Sequence, residues 1–336
     1  MVNLGIIGTG RIGKVHIKSI RTRVKDAVIK TAADPYMNEE TAHFAKSMGV
    51  LHTTTDYREI LEDPEIDAVL ICSSTDTHAT ISLETIRAKK HVFCEKPVDH
   101  KVARIREVEE ALKGTGLKYQ VGFNRRFDHN FETMQQAVAA GKIGKPEIIK
   151  ITSRDPEPPD INYVKVSGGI FLDMTIHDFD MVRFLSGCEA AQVYAQGANL
   201  VDPAIGEAGD IDTAVITLQM ENGSIAVIDN CRKSVYGYDQ RAEVFGSEGM
   251  VSVDNDHPST AVLSNCDGII GEKPLYFFLE RYMDAYGKEI ETFIDAIEHD
   301  KETPLTIRDG LMPVIMGLAA KKSYEEHRPV KLSELM

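Results

Sequence analysis

The stretch GTGRIG, Gly8 to Gly13, constrains this chain more than any other. It follows the apolar run VNLGIIG at once and opens the amphipathic stretch GRIGKVHIKSIRTR, so a buried strand turns directly into a helix. Gly8, Gly10 and Gly13 have the spacing GxGxxG. In such a strand–turn–helix unit Gly8 allows the tight turn and Gly10 lets a diphosphate approach the backbone. Gly13 lets helix and strand pack closely. The helix N-terminus adds N–H donors and partial positive charge for an anion. The next strand, AVIKTAAD, ends on Asp34, 21 residues after Gly13. A carboxylate there accepts from ribose hydroxyls and repels a 2′-phosphate. Pro35 follows it, not an arginine that could neutralise a phosphate. The pattern predicts NAD over NADP. The alternatives are a plain strand–helix turn that needs glycine, and a turn carboxylate before proline.

The alternation continues. IDAVLICSS, HVFCEKP and KYQVGF read as strands, and NEETAHFAKSMG, DTHATISLETIRAKK and HKVARIREVEEALKG as helices. This predicts a doubly wound parallel sheet with helices on both faces. After about residue 145 the pattern changes. EIIKITSRD, QVYAQGANLV, DTAVITLQM, SIAVIDNCRKS, RAEVFGS, GMVSVDN and TAVLSN are strand-like, with turn signals such as ENGS and GSEG between them. They predict a large, mostly antiparallel open sheet in a C-terminal α+β domain. Two late helices, LERYMDAYGKEIETFIDAIEHD and IRDGLMPVIMGLAAKKSYEEH, close the chain. The fold class is therefore α/β, with a Rossmann domain over 1–123 and a substrate-binding and oligomerisation domain over 124–336. The last helix has the option of packing back on the first domain. A chain of 336 residues suits two cores.

Composition narrows the partners. A net charge of −14 disfavours nucleic acid and anionic membranes, so neither is expected. No apolar run approaches the roughly 18 residues of a membrane span, and MVNLGIIGTG lacks the flanks of a signal peptide. Five scattered cysteines without CxxC suit a reducing cytoplasm and no zinc ribbon. No metal is expected.

Two further stretches carry chemistry. In LDMTIHDFD, Asp173, His177 and Asp180 fall at i, i+4 and i+7 of a helix otherwise apolar nearly all round. Buried charges need partners, so the stripe must face something. A satisfied core pair and a metal half-site are both open at this point. Asp180, one turn further on, is read as a salt-bridge or helix-surface residue. In CEKP, Lys96 ends a Rossmann strand and is aimed at the crevice where ligands bind, with a surface lysine as the alternative. Pro97 restricts the backbone of Lys96 and admits a cis bond. Cys94 reads as a small core residue.

GxGxxG, CEKP, GFNRRFD, SGGIFLDMTIHDFDM and YGYDQR together resemble the Gfo/Idh/MocA oxidoreductase family, over nearly the whole chain and with its order and spacing of motifs. Within it the resemblance is strongest to bacterial inositol 2-dehydrogenases. It implies that Lys96, Asp173 and His177 surround a reacting carbinol, with His177 as general base and Lys96 holding developing alkoxide charge. Asp173 would grip a neighbouring hydroxyl. It suggests Arg126, Asp155, Thr175 and Tyr236 as further substrate contacts. Arg126 or Arg125 pairing with Asp128, and Tyr236 as a plain sheet aromatic, are the competing readings. On the cofactor side it implies Arg11, Ile12, Ser73, Thr75, His78, Glu95 and Lys96 beside the glycines and Asp34. The implied activity is NAD-dependent oxidation of a cyclitol, myo-inositol to its 2-keto product, by a cytoplasmic homotetramer joined through the C-terminal sheet. The alternatives are scyllo-inositol or an aldose, and, more remotely, a non-catalytic NAD-binding regulator.

Overall fold

The computed structural model describes residues 1–336. Its first third forms β1 (Val2–Ile7), α1 (Arg11–Arg23), β2 (Ala27–Ala33), α2 (Glu39–Ser47), β3 (His52–Thr54), α3 (Arg58–Glu62), β4 (Ala68–Ile71), α4 (Thr75–Arg87), β5 (His91–Glu95), α5 (Val102–Leu112) and β6 (Tyr119–Gly122). The strands make a six-stranded sheet in the order β3-β2-β1-β4-β5-β6, and every pairing is parallel. Covered on both faces, β1 and β4 are apolar runs, as a parallel sheet requires. The order reverses between β1 and β4. Carboxyl ends of strands at such a switch point form the ligand crevice of an open α/β sheet.

The chain continues with α6 (His129–Ala139), β7 (Pro146–Arg154), α7 (Ile161–Val164), α8 (Ile170–Asp173), α9 (Thr175–Ser186), β8 (Ala190–Ala198), α10 (Pro203–Glu207), β9 (Thr213–Met220), β10 (Ile225–Cys231), β11 (Asp239–Gly246), β12 (Gly249–Val253), β13 (Val262–Asn265), β14 (Gly268–Gly271) and α11 (Phe278–Arg281). It closes with α12 (Met283–Glu298), α13 (Ile307–Glu326) and β15 (Val330–Lys331). The second sheet has seven strands in the order β12-β11-β7-β10-β9-β8-β15. All its pairings are antiparallel except β7 with β10, which run parallel. TAVLSN does not join this sheet. It pairs with β14 in a separate hairpin.

Two compact units result, Met1–Phe127 with Met283–Val314, and Asp128–Tyr282 with Ile315–Met336. The first break thus lies four residues beyond the 123/124 boundary, and α12 joins the first unit. Its Ile290, Phe293 and Ile294 share a core with Leu4, Ile6, Leu70 and Phe93. In the second unit α9 packs on β7 and β10. The sheet's other face is open. Strand β9 alternates buried and exposed positions, and Val215, Ile225 and Phe245 stand at 50, 52 and 44% exposure. No helix is long and apolar enough to cross a membrane.

Candidate active site

In the first unit the glycine loop has the geometry its spacing predicts. Gly8 sits at φ +96°, and a Cβ there would lie 2.5 Å from the backbone of Cys72 and Ser73. A Cβ on Gly13 would lie 2.0 Å from the Gly8 carbonyl oxygen, so only glycine lets α1 start this close to β1. A Cβ on Gly10 would meet nothing within 4 Å. Gly10 is the N-cap of α1 and no side chain caps that end. The open shelf at Gly10 and the uncapped amides suit a diphosphate, so these residues fit a dinucleotide. Arg11 is exposed beside the shelf and Ile12 half-buried.

Asp34 ends β2 and does two jobs already. Its Oδ2 accepts from the Thr9 N–H (2.7 Å) and the Thr9 hydroxyl (2.9 Å), and its Oδ1 from the Tyr36 N–H (2.9 Å). It therefore clamps the glycine loop and its own turn. A carboxylate offers about four acceptor positions, so capacity remains for ribose hydroxyls.

Ser73 and Thr75, half-buried, lie beyond β4 at the same edge of the sheet, and the Ser73 hydroxyl meets that of Thr77 at 2.7 Å. Two expected cofactor contacts have protein partners in this structure. His78 is buried, its Nδ1 2.8 Å from the Pro97 carbonyl oxygen and its Nε2 3.1 Å from that of Ser73. A ring between two carbonyls donates to both only when protonated. Burial opposes that charge, but Cys94 and the two carbonyls move its pKa up to about 9. His78 ties the end of β4 to Pro97. Glu95 is likewise turned into the core, where it meets His16 at 2.7 Å. Lys96 follows it, partly exposed at the carboxyl end of β5, and the Lys96–Pro97 bond is cis. Cys94 is fully buried, as expected of a core residue.

Arg126 belongs to the first unit, where its Nη2 donates to Asp309 at 3.0 Å. Asp128 caps α6 and is bound by Arg281, with Nη2 to Oδ1 at 2.9 Å.

In the second unit the polar stripe resolves. The run from Ile170 breaks at Met174, whose φ of −94° and ψ of −60° keep the right-handed turn. Asp173 and His177 therefore remain close to one helical turn apart. Within 170–183 only these two residues keep partial exposure. Asp180 is buried, and Arg183 Nη1 lies 3.6 Å from its carboxylate.

Asp173 is held from two sides. The Tyr163 hydroxyl donates to its Oδ1 at 2.7 Å, and Arg232 Nη1 lies 2.9 Å from its Oδ2. The same guanidinium is 3.6 Å from Asp155. Arg232 is buried, and although burial opposes its charge, Asp173 and Asp155 raise its pKa further. Arg232 thus joins two expected substrate residues and offsets the negative charge of Asp173 beside His177.

Two other expected contacts have protein partners. Thr175 is fully buried, its hydroxyl 2.5 Å from the Asn230 side chain, which also donates to Asp178 at 2.9 Å. Thr175 thereby ties the start of α9 to β10. The Tyr236 hydroxyl donates to Asp239 and accepts from Arg154 at 3.0 Å. Tyr236 is 40% exposed and lines a cavity of about 740 Å³ with Pro156, Lys233 and Tyr276, which Asp173 and His177 do not line.

Arg232 and Tyr163 were not anticipated. Arg232 had a legible signal. Ala226, Ile228 and Asn230 form the buried face of β10, so Arg232, two residues on, is a cation aimed into the core.

Residues 2–123 match the model of the oxidoreductase family with an NAD-binding Rossmann fold, and residues 131–252 match the GFO/IDH/MocA C-terminal domain. The chain belongs to the Gfo/Idh/MocA family. This Gfo/Idh/MocA oxidoreductase is 50% identical to the uncharacterized oxidoreductase YrbE of Bacillus subtilis, over 98% of this chain and 96% of that one. It is 47% identical to the myo-inositol 2-dehydrogenase of Thermotoga maritima, over 100% of both. It also superposes with a TM-score of 0.92 on scyllo-inositol dehydrogenase from Lactobacillus casei, solved with bound NAD(H) and scyllo-inositol. That pair is 30% identical, covering 99% of each chain. The family's NAD-binding domain is the one built on Gly8, Gly10 and Gly13.

Proposed function

We propose that the protein oxidises a secondary alcohol of a cyclitol with NAD, and that the preferred reaction converts myo-inositol to its 2-keto product. The observation that carries this reading is the partly open pair Asp173 and His177 on an otherwise buried helix, with Tyr163 and Arg232 bound to Asp173. Such a rim offers hydrogen bonds to adjacent hydroxyls. The likeness to proteins named for inositol supports the substrate class. NAD, when bound, accepts the hydride. Neutral His177 takes the hydroxyl proton, a task suited to an imidazole near neutral pH. Lys96 donates to the reacting oxygen and stabilises its developing charge. Asp173 and Asp155, held by Arg232, position neighbouring hydroxyls. Arg126 and Tyr236 are assigned further contacts with the polyol.

The test is a panel of myo-inositol, scyllo-inositol, glucose, lactate and malate with NAD, followed as reduced nicotinamide. myo-Inositol is expected to give the highest kcat/KM. A preference for scyllo-inositol or glucose would move the assignment within the polyols. Faster turnover of lactate or malate would overturn it, since a hydroxy acid needs a cationic clamp and Arg232 is occupied by two carboxylates.

Asp34 sets the cofactor preference. NAD is expected to exceed NADP by at least about tenfold in kcat/KM, the equivalent of roughly 1.4 kcal/mol. Asp34→Ser is expected to narrow that margin by removing a like-charge repulsion of roughly 1–3 kcal/mol. The substitution also frees the Thr9 clamp, so the thermal midpoint is measured alongside. Comparable efficiency of the unsubstituted protein with both cofactors would refute the assignment.

We further infer that copies associate through the open sheet face around Val215, Ile225 and Phe245, giving a tetramer. Sedimentation of wild type against Phe245→Glu tests this.

A further inference from the structure

Within the first unit lie three buried titratable groups that this reaction does not use. His16 comes from α1, Glu95 from the end of β5 and Glu289 from α12. His16 and Glu289 are fully buried and Glu95 is 6% exposed. His16 Nε2 is 2.7 Å from Glu95 Oε1, and the Lys96 N–H donates to Glu95 Oε2 at 3.2 Å. One nitrogen or oxygen from each of the three side chains lies within 4.8 Å of the other two. Both Glu289 oxygens and His16 Nδ1 lack a hydrogen-bond partner.

The Phe93 and Tyr286 rings stand edge-on to His16 at 5.2 and 5.5 Å. The Gln120 amide donates to the Glu289 backbone carbonyl, not to its carboxyl. The titratable neighbours include the buried thiols of Cys72 and Cys94, the Tyr286 phenol and Lys96, the residue after Glu95. The Cys72 thiol is itself pushed well up, first by burial and then by Glu95. Two carboxyls this close in an apolar setting cannot both ionise cheaply. Burial, and after it Glu95, pushes Glu289 well above the ordinary carboxylic range. A second proton on His16 would sit at Nδ1, where no acceptor waits. The economical assignment puts a proton on Nε2 of neutral His16, a negative charge on Glu95 and a proton on Glu289.

We propose that His16, Glu95 and Glu289 form a buried triad in which Glu289 is kept as a neutral acid and Glu95 as the single carboxylate that fixes the backbone of Lys96. Its link to catalysis rests on the reading of Lys96 given above. Glu95 and Glu289 are then positioning residues for that lysine. The Glu95 charge, one residue away, also favours the ammonium form of Lys96. Ionising Glu289 would place a second negative charge in the core and push the two carboxyls apart. Glu289 reaches this position from a segment 194 residues distant from Glu95, so the triad links the late helix α12 to the end of β5.

Infrared difference spectroscopy tests the proton without substrate. The protein, labelled with ¹³C-glutamate, is expected to show a protonated-acid carbonyl band that shifts with the label and persists to alkaline pH. The band is expected to disappear in Glu289→Gln, a neutral-for-neutral exchange that preserves the fold. Spectra of wild type and Glu289→Gln that coincide would overturn the proposal. So would a stoichiometric divalent metal held by wild type and lost in Glu289→Gln, because the three groups would then be ligands. In the kinetic arm, Glu95→Gln is expected to lower kcat while NAD affinity holds. It should also move the alkaline limb of the pH profile to lower pH. An unmoved limb, with the infrared band present, would leave the triad as core structure and remove its role toward Lys96. Full activity of Lys96→Met would refute the catalytic reading and leave the infrared result standing.

Discussion

Replacing His177 with alanine is expected to lower cyclitol turnover by roughly 10²–10⁴-fold, the usual worth of a positioned acid–base group. The thermal midpoint and NAD affinity are expected to stay near those of wild type. The stability half follows from burial. His177 keeps partial exposure on a helix whose neighbours Ile176, Phe179 and Val182 are fully buried, so its removal opens little cavity. The affinity half follows from organisation, because Gly8, Gly10, Gly13 and Asp34 lie in the other compact unit. A core histidine predicts the reverse, with a lower midpoint and activity lost only in proportion to misfolding. With His177 present, the acid limb of the oxidation profile is expected to rise with pH as the imidazole loses its proton, because the base works only unprotonated. Turnover close to wild type in folded His177→Ala would assign the base to Lys96 or to water.

Arg232→Met is the second large effect. Arg232 is buried between Asp173 at 2.9 Å and Asp155 at 3.6 Å. Removing one partner of a buried ion pair leaves uncompensated charge, which costs about 3–5 kcal/mol of stability. The two carboxylates must then take up protons or reorient. A displacement of about 1 Å near a reacting group is enough for roughly 10²-fold in rate. The variant is therefore expected to lose both stability in urea and at least that factor in kcat/KM. Arg232→Lys keeps the charge without the fork and is expected to fall between the two. A variant with normal urea stability and normal kcat/KM would show that the guanidinium neither holds Asp173 nor matters to the site.

Much of this was legible in the residues because the constraints are local. The glycine spacing encodes steric requirements of a single turn, and the structure meets them one by one at Gly8, Gly10 and Gly13. The i, i+4 relation of Asp173 and His177 survives the break at Met174 for the same reason. Asp180 continues the pattern, but the helix has turned it into the core toward Arg183, which periodicity alone does not distinguish. Thr175, His78 and Glu95 sit next to residues of the expected site, yet their side chains serve the protein's own network. Sequence neighbours along a helix or strand point in different directions, so adjacency to a motif does not confer its role. Arg232 could have been found as a charge on the core face of β10. Glu289 could not, since nothing in the late helix marks it as the partner of a residue so far upstream. TAVLSN reads as a strand and is one, but local alternation does not say which sheet a strand joins.

The most direct measurement uses myo-inositol carrying deuterium at C2, incubated with the purified protein and NAD, and mass analysis of the reduced cofactor. The account predicts that the deuterium is recovered in the reduced nicotinamide and that the product is the 2-keto cyclitol. Reduced nicotinamide free of deuterium, or no reduction with this substrate while a sugar or hydroxy acid is turned over, would contradict it.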